Sequence, residues 1–284
     1  MDNLRPTPDR KPTTETPTAV NARPGPDRRP PAETPAAVHV RPGPAPTRTL
    51  AAAETPTAVA AIEGGLVVSC QAPDGHPLRD PHVIALLARC AELGGAVGLR
   101  VNGPEDVRAV KAVTSLPLIG LHKVPRPSAR PLITPGFALC EALVRAGADL
   151  IALEVTAEAE SVPGDLLKLV ERVRTDLGVP VMADVSTVEE GLRAWEHGAD
   201  LVSTTLSGYT PYTAPPGRNP DLTLVGDLTA QGVRTVAEGR LRTEAHVSDA
   251  FTRGAWSVVI GTAITDPLAL THHLTTATPK ADNR

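Results

Sequence analysis

The chain has 284 residues, 41 % hydrophobic and 21 % charged, with a formal net charge of −4; this is a globular balance with room for one large domain or two small ones, and it lacks the basic excess of a nucleic-acid binder. No Lys/Arg block marks a membrane surface, no window holds the ~18 apolar residues of a span, and no apolar stretch at the N-terminus marks a secretory signal, so a cytoplasmic protein is expected. Aromatic residues are only 2 %, which leaves Ala, Val, Leu and Ile to build the core.

Residues 1–64 stand apart. Thirteen of the 30 prolines fall in the first 60 residues, and the tract ETPxAV recurs at Glu15–Val20, Glu33–Val38 and Glu54–Val59. Such a composition buries too little apolar surface to offset the entropy of ordering. The expectation is a disordered Pro-rich extension over 1–64, a folded domain over 65–278 and a short C-terminal tail over 279–284.

After Gly64, short apolar runs alternate with longer amphipathic stretches. The runs are LVVSCQ (66–71), AVGLRV (96–101), LPLIGLHK (116–123), LIALEV (150–155), PVMADV (180–185), LVSTTL (201–206), RTVAEG (234–239) and SVVIGT (257–262). Runs this short and continuous predict strands buried on both faces of a parallel sheet. DPHVIALLARCAELGG predicts a helix ending at glycine, and STVEEGLRAWEHG a helix capped by Ser186 or Thr187. A Gly-Ala step precedes every second strand, at Gly95-Ala96, Gly147-Ala148, Gly198-Ala199 and Gly254-Ala255, spaced by 52, 51 and 56 residues. Each interval holds two strand–helix units, and four such quarters make an α/β fold of the (β/α)8 TIM-barrel type. A doubly wound sheet also alternates strand and helix, but no GxGxxG turn follows the first strand.

A barrel of this type gathers its chemistry at the C-terminal strand ends. In order these ends carry Gln71, Arg100, Lys123, Glu154, Asp184, Thr205 with Ser207, Glu238 with Arg240, and Gly261-Thr262. Lys123 directly follows an apolar run; partial desolvation there lowers an amine pKa and suits it to act as a base or a Schiff-base nucleophile. Glu238 is either a catalytic acid or one half of an ion pair, and Asp184 is either a site residue or a cap for the following helix. His122 alternates with Lys123 and is expected to pack. The glycine-bearing loops EGR and GT after the last two strands are candidate phosphate cradles. Cys70, Cys90 and Cys140 show no metal spacing and are expected to be buried, reduced thiols; the histidines show no metal pattern either.

GGLVVSCQ, IGLHK followed by ITP, GADLIALEVT, VMADVST, GADLVSTTLSGYT, VAEGR and GAWSVVIGTAIT together resemble the bacterial N-acetylmannosamine-6-phosphate 2-epimerases, in order from about Gly64 to Pro267. The resemblance implies interconversion of N-acetylmannosamine 6-phosphate and N-acetylglucosamine 6-phosphate in cytoplasmic sialic-acid or amino-sugar catabolism. It implies no metal or organic cofactor, a small-molecule amino-sugar phosphate as partner, and a homodimer in many members. It places proton transfer on Lys123 and a second catalytic role on Glu238. Ligand contacts fall on Gln71, Arg100, Asp184, Gly239, Arg240, Gly261 and Thr262.

Chemistry agrees with that assignment. Inverting C2 breaks a C–H bond beside the open-chain aldehyde, which calls for a base near C2 and a group that polarises the C1 oxygen. Glu238, protonated or bridged to Arg240, would supply the second. Two departures bear on the substrate: Asp266 stands where the family often has an arginine, and Glu154 where it has an aspartate. Arg126 or Arg130, in the unusual loop VPRPSARP, is a candidate for the missing charge. A Schiff-base lyase using Lys123 and a non-catalytic sugar-phosphate sensor are the alternative readings.

Overall fold

Eight parallel strands close on themselves, as the alternating pattern predicts. In the computed structural model, which describes residues 55–279 except 128, 160–164 and 216, they are β1 (Leu66–Cys70), β2 (Gly98–Asn102), β3 (Leu118–Leu121), β6 (Leu150–Glu154), β7 (Val181–Asp184), β8 (Leu201–Ser203), β9 (Thr235–Glu238) and β10 (Ser257–Ile260). The ring runs β1-β10-β9-β8-β7-β6-β3-β2 and back to β1, a TIM barrel. Helices α2 (Pro81–Leu93), α3 (Pro104–Lys111), α4 (Phe137–Ala146), α5 (Leu166–Arg172), α6 (Val188–Glu196), α7 (Leu222–Ala230) and α8 (Glu244–Thr252) connect successive strands, and α9 (Thr262–Thr265) and α10 (Pro267–Thr275) follow the last. Among the described residues no helix is long and apolar enough to cross a membrane.

The Gly-Ala repeat is a helix-to-strand joint. Gly95, Gly147, Gly198 and Gly254 all take positive φ, between 86° and 110°, the left-handed region where a side chain is costly. The next N–H then turns back onto the helix: Ala96 donates to Ala91 O, Ala148 to Leu143 O, Ala199 to Ala194 O and Ala255 to Ala250 O. This is the Schellman closure of a helix C-terminus, and the small alanine drops into the strand–helix interface, buried in all four cases. Gly232 and Val233 repeat the joint, with Val233 N–H donating to Leu228 O. At the other end of the helices, Thr187, not Ser186, caps α6, in a reciprocal box with Glu190, a contact of about 1 kcal/mol.

Alternation along each strand sorts side chains inward and outward. Inward positions low in the barrel are apolar and pack together: Val67, Ile119, Leu150, Met182, Leu201, Val236 and Val259. Two residues further along, four of these strands turn polar, at Ser69, Asp184, Ser203 and Glu238, while Leu121 and Ala152 stay in the apolar cluster and Gly261 carries no side chain. An apolar plug therefore lies beneath a layer that is polar on one side and apolar at β3 and β6.

Two expectations are corrected. The boundary after Gly64 falls inside packed structure. Helix α1 (Thr57–Ala60) belongs to the third ETPxAV tract, and Val59 and Ile62 are fully buried in the same cluster as Val67. Trp256 donates its indole N–H to Val59 O at 3.0 Å, and Gly64 N–H bonds Trp256 O at 2.7 Å. The remainder of the expected extension, residues 1–54, lies outside the described residues, as do 280–284 of the expected tail. Second, the segment after the third barrel strand is an inserted antiparallel hairpin, β4 (Lys123–Arg126) with β5 (Ala129–Ile133). Pro125 and Pro131 disguise it, because proline lacks a ladder donor; the register shifts between Val124 and Arg126, on either side of Pro125.

Candidate active site

A cavity of about 460 Å³ opens at the C-terminal ends of the strands. Of the residues expected there, Gln71, Lys123, Glu238, Gly239, Arg240, Gly261 and Thr262 line it. Lys123 comes from the start of the hairpin rather than from β3. Its backbone N–H donates to Asn102 Oδ1 at 2.8 Å, tying the hairpin to the end of β2. The amine itself makes no hydrogen bond or ion pair among the described residues. It reaches solvent through the cavity mouth, yet surrounding protein and the nearby Arg100 guanidinium lower its pKa, against the pull of Glu238 and Asp184.

Glu238 sits at the floor. Its Oε2 accepts from Arg100 Nη1, and the hydroxyls of Ser203 and Thr205 lie 3.3 and 3.1 Å away. Oε1 is without a partner among the described residues. Arg100 Nη2 reaches Asp184 Oδ2 at 2.5 Å, and Thr205 Oγ1 is 2.7 Å from Asp184 Oδ1. Thr205 has one hydroxyl proton, so it donates to one carboxylate at a time. Burial pushes the Asp184 carboxyl up to about 6, with Arg100 pulling the other way.

Three site expectations change. Arg100 and Asp184 do not line the cavity; they are fully buried beneath Glu238 and Thr205, and Asp184 is a network member rather than a helix cap. Glu238 bridges to Arg100, not to Arg240. The Arg240 guanidinium instead donates to Asn219 O at 2.8 Å and Ser207 O at 2.9 Å, and it stacks 5.4 Å from the Tyr209 ring centroid. The reason is backbone geometry. Gly239 and Arg240 take φ of 105° and 63°, so the chain swings away from the strand and carries the Arg240 side chain over the next loop.

That swing exposes amides. The N–H groups of Gly239, Arg240 and Leu241, and of Thr262 and Ala263, have no partner among the described residues, and all five residues border the cavity. Amides grouped at a cavity in this way can donate to water or to a bound anion. A family model described as "Putative N-acetylmannosamine-6-phosphate epimerase" matches residues 84–280. The chain belongs to this family. A relative from Caldanaerobacter subterraneus, described as "Putative N-acetylmannosamine-6-phosphate 2-epimerase", is 42 % identical over 219 residues, 76 % of this chain and 91 % of that protein. One of the same description from Klebsiella pneumoniae is 42 % identical over 202 residues, 71 % of this chain and 84 % of that protein. Among solved structures, the N-acetylmannosamine-6-phosphate 2-epimerase of Clostridium perfringens matches with a TM-score of 0.72 and 34 % identity, covering 78 % of this chain and 96 % of that one. A Pediococcus acidilactici (putative) lactate oxidase, at 17 % identity and a TM-score of 0.54, covers 76 % of this chain and shares the fold alone.

In this member of the epimerase family, Asp266 does border the cavity, but its carboxylate is engaged: Oδ1 caps α10 through Ala269 N–H at 2.8 Å and lies 3.4 Å from His76 Nε2. Neither Arg126 nor Arg130 supplies a cavity charge. Arg126 pairs with Glu158 at 2.5 Å, Arg130 pairs with Glu154 at 2.6 Å, and neither lines the cavity. Arg242 does line it and makes no side-chain bond among the described residues.

Asn102, Ser69 and Tyr209 also line the cavity and were missed. The first two were readable as alternate inward positions, two residues after Arg100 and two before Gln71; Tyr209 lies on a loop with no periodicity to place it. Gln71 donates to Ser69 Oγ at 2.7 Å, and its buried Oε1 is without a partner. Cys70 and Cys140 are buried with thiols pushed up to about 12, chiefly by burial, whereas Cys90 is exposed, against expectation.

Proposed function

We propose that this chain inverts C2 of N-acetylmannosamine 6-phosphate to give N-acetylglucosamine 6-phosphate, with Lys123 carrying the proton. The observation that supports this most directly is that a partnerless amine with a lowered pKa and a carboxylate with a free oxygen line one cavity, brought together from positions 123 and 238.

In this reading the neutral amine takes the C2 proton, the C–H electron pair delocalises onto the C1 oxygen as a 2-acetamido enolate, and Lys123 becomes an ammonium. The ammonium returns the proton to C2 from the opposite face, so with a single base the intermediate must turn its other face to the nitrogen. Asn102 Oδ1 is committed to Lys123 N–H, which leaves its amide N–H groups as neutral donors for the C1 oxygen. Glu238 Oε1 accepts a sugar hydroxyl, and Arg100, Ser203 and Thr205 hold the carboxylate in place. The amides of Gly239, Arg240, Leu241, Thr262 and Ala263 take the phosphate, with the charge of Arg240 nearby.

A phosphorylated sugar does not cross a bilayer unaided, which supports a cytoplasmic reaction in amino-sugar or sialic-acid breakdown. The exposed Leu268, Leu270 and Leu274 on α10 support an assembly of two chains. The test of the reaction is incubation with N-acetylmannosamine 6-phosphate, and separately with free N-acetylmannosamine, in deuterated water. Deuterium should enter C2 of the phosphorylated sugar. A folded sample that exchanges neither sugar rules the reading out, and a reducible imine trapped on Lys123 by borohydride replaces it with a Schiff-base reaction.

A further inference from the structure

The hairpin that delivers Lys123 is anchored by a group outside the cavity. Lys123 faces Ile133 across the hairpin, and Ile133 N–H donates to Glu154 Oε2 at 3.3 Å. Glu154, at the end of β6 and only 1 % exposed, also receives Arg130 in a two-point contact, Nη1 to Oε2 at 2.9 Å and Nη2 to Oε1 at 2.6 Å. The same guanidinium reaches Glu158 Oε2 at 2.8 Å and Tyr209 O at 3.0 Å. Tyr209 forms a cavity wall and carries the Arg240 guanidinium on its ring. One side chain on β5, the strand paired with the one that carries the amine, therefore joins the hairpin to the end of β6, the loop beyond β6 and the wall that holds Arg240. The hairpin exit is rigid too: Thr134 is fully buried at φ 49°, and its hydroxyl donates to Ala152 O at 2.7 Å. A non-glycine residue persists there only when its surroundings over-determine it.

We propose that Arg130 is a positioning residue that fixes the Lys123 hairpin and the Tyr209 wall in one geometry, and so sets the spacing between the proton-transfer end and the phosphate end of the site. The assignment rests on the proposed epimerase reading. Only a planar, two-point cation suits the arrangement. A lysine would keep the charge beside Glu154 but lose the fork and the reach to Tyr209 O.

The informative variant is Arg130→Met combined with Glu154→Gln, because removing Arg130 alone would strand a buried carboxylate. In the folded double variant, kcat for C2 exchange should fall about 10-fold to 10²-fold, the effect of roughly ångström misplacement. KM for the phosphorylated sugar should rise, and the pH profile should shift alkaline as the amine gains water. Arg100, Glu238 and Asp184, the charges that act on Lys123, are untouched by these changes. Arg130→Lys should restore folding stability but only part of the rate. A pH midpoint of kcat/KM and a KM that both match wild type would overturn the proposal, since loss of folded fraction alone lowers the height of the profile but moves neither. A second readout needs no turnover: reductive 13C-methylation of the lysines and NMR titration, with the Lys123 signal identified by its absence in Lys123→Arg. Its midpoint should move toward that of an exposed lysine in the double variant, and an unmoved midpoint overturns the proposal. If wild type exchanges no deuterium, the epimerase reading fails while this titration still decides the role of Arg130.

Discussion

Arg100 on β2 and Glu238 on β9 are 138 positions apart in sequence, yet the guanidinium donates directly to the carboxylate beneath the cavity. The same guanidinium holds Asp184, so one buried cation serves two acids, Asp184 closed to water and Glu238 open to the cavity. Arg100→Met strands both carboxylates and should lower the unfolding free energy by about 3–5 kcal/mol, read from urea unfolding at pH 7. A loss below ~1 kcal/mol would show that the pairing carries little structural weight.

Lys123→Ala should behave in the opposite way. The amine has no partner to lose, and its depressed pKa means that the folded state disfavours its charge. Exchange should fall by at least ~10²-fold to 10⁴-fold, while urea unfolding shows stability equal to or above wild type. A destabilised variant would mean that the side chain holds the fold.

Activity and stability should respond to pH through different groups. The base must be neutral, so kcat/KM should rise with pH as Lys123 loses its proton, and half-maximal activity should come below the ordinary lysine value of 10.5. Asp184 moves from 3.8 to about 6 in the folded chain. Between these values the folded state holds more protons than the unfolded one, so the contribution of Asp184 is fully present below about pH 4 and is lost as pH rises through about 6. Asp184→Asn should flatten that part of the stability profile; unfolding curves collected from pH 4 to 7 on both proteins give the comparison. Parallel slopes would assign the window to other groups.

Glycine positions test the packing. A Cβ on Gly191 of α6 would lie 2.6 Å from Leu228 Cδ2 and 3.2 Å from Val202 Cγ1, so Gly191→Ala should cost about 1–3 kcal/mol by overpacking. Gly147→Ala should cost about 1–2 kcal/mol by a different route, the left-handed backbone of the joint. Differential scanning calorimetry on the two single variants should show lowered melting temperatures in both.

Much of the barrel was legible because its strands are buried on both faces and so read as unbroken apolar runs, punctuated by left-handed glycines that only one backbone geometry explains. Lys123, Glu238 and Gln71 were legible because each follows such a run. Partnerships were not. Nothing in the spacing of Glu238 and Arg240 reveals that Gly239 and Arg240 turn the chain away and leave Glu238 to Arg100. Nor does proline-rich composition disclose its own context: the same ETPxAV tract that reads as tail supplies Val59 to the barrel core.

The acid of this site grows from the ring itself, while the amine hangs on a detour between two of its staves. Changes along residues 124–132 can therefore shift the nitrogen by fractions of an ångström while every barrel register stays intact. A protein built this way can acquire a taste for a new sugar by redrafting one short excursion, with the architecture that keeps it folded left alone.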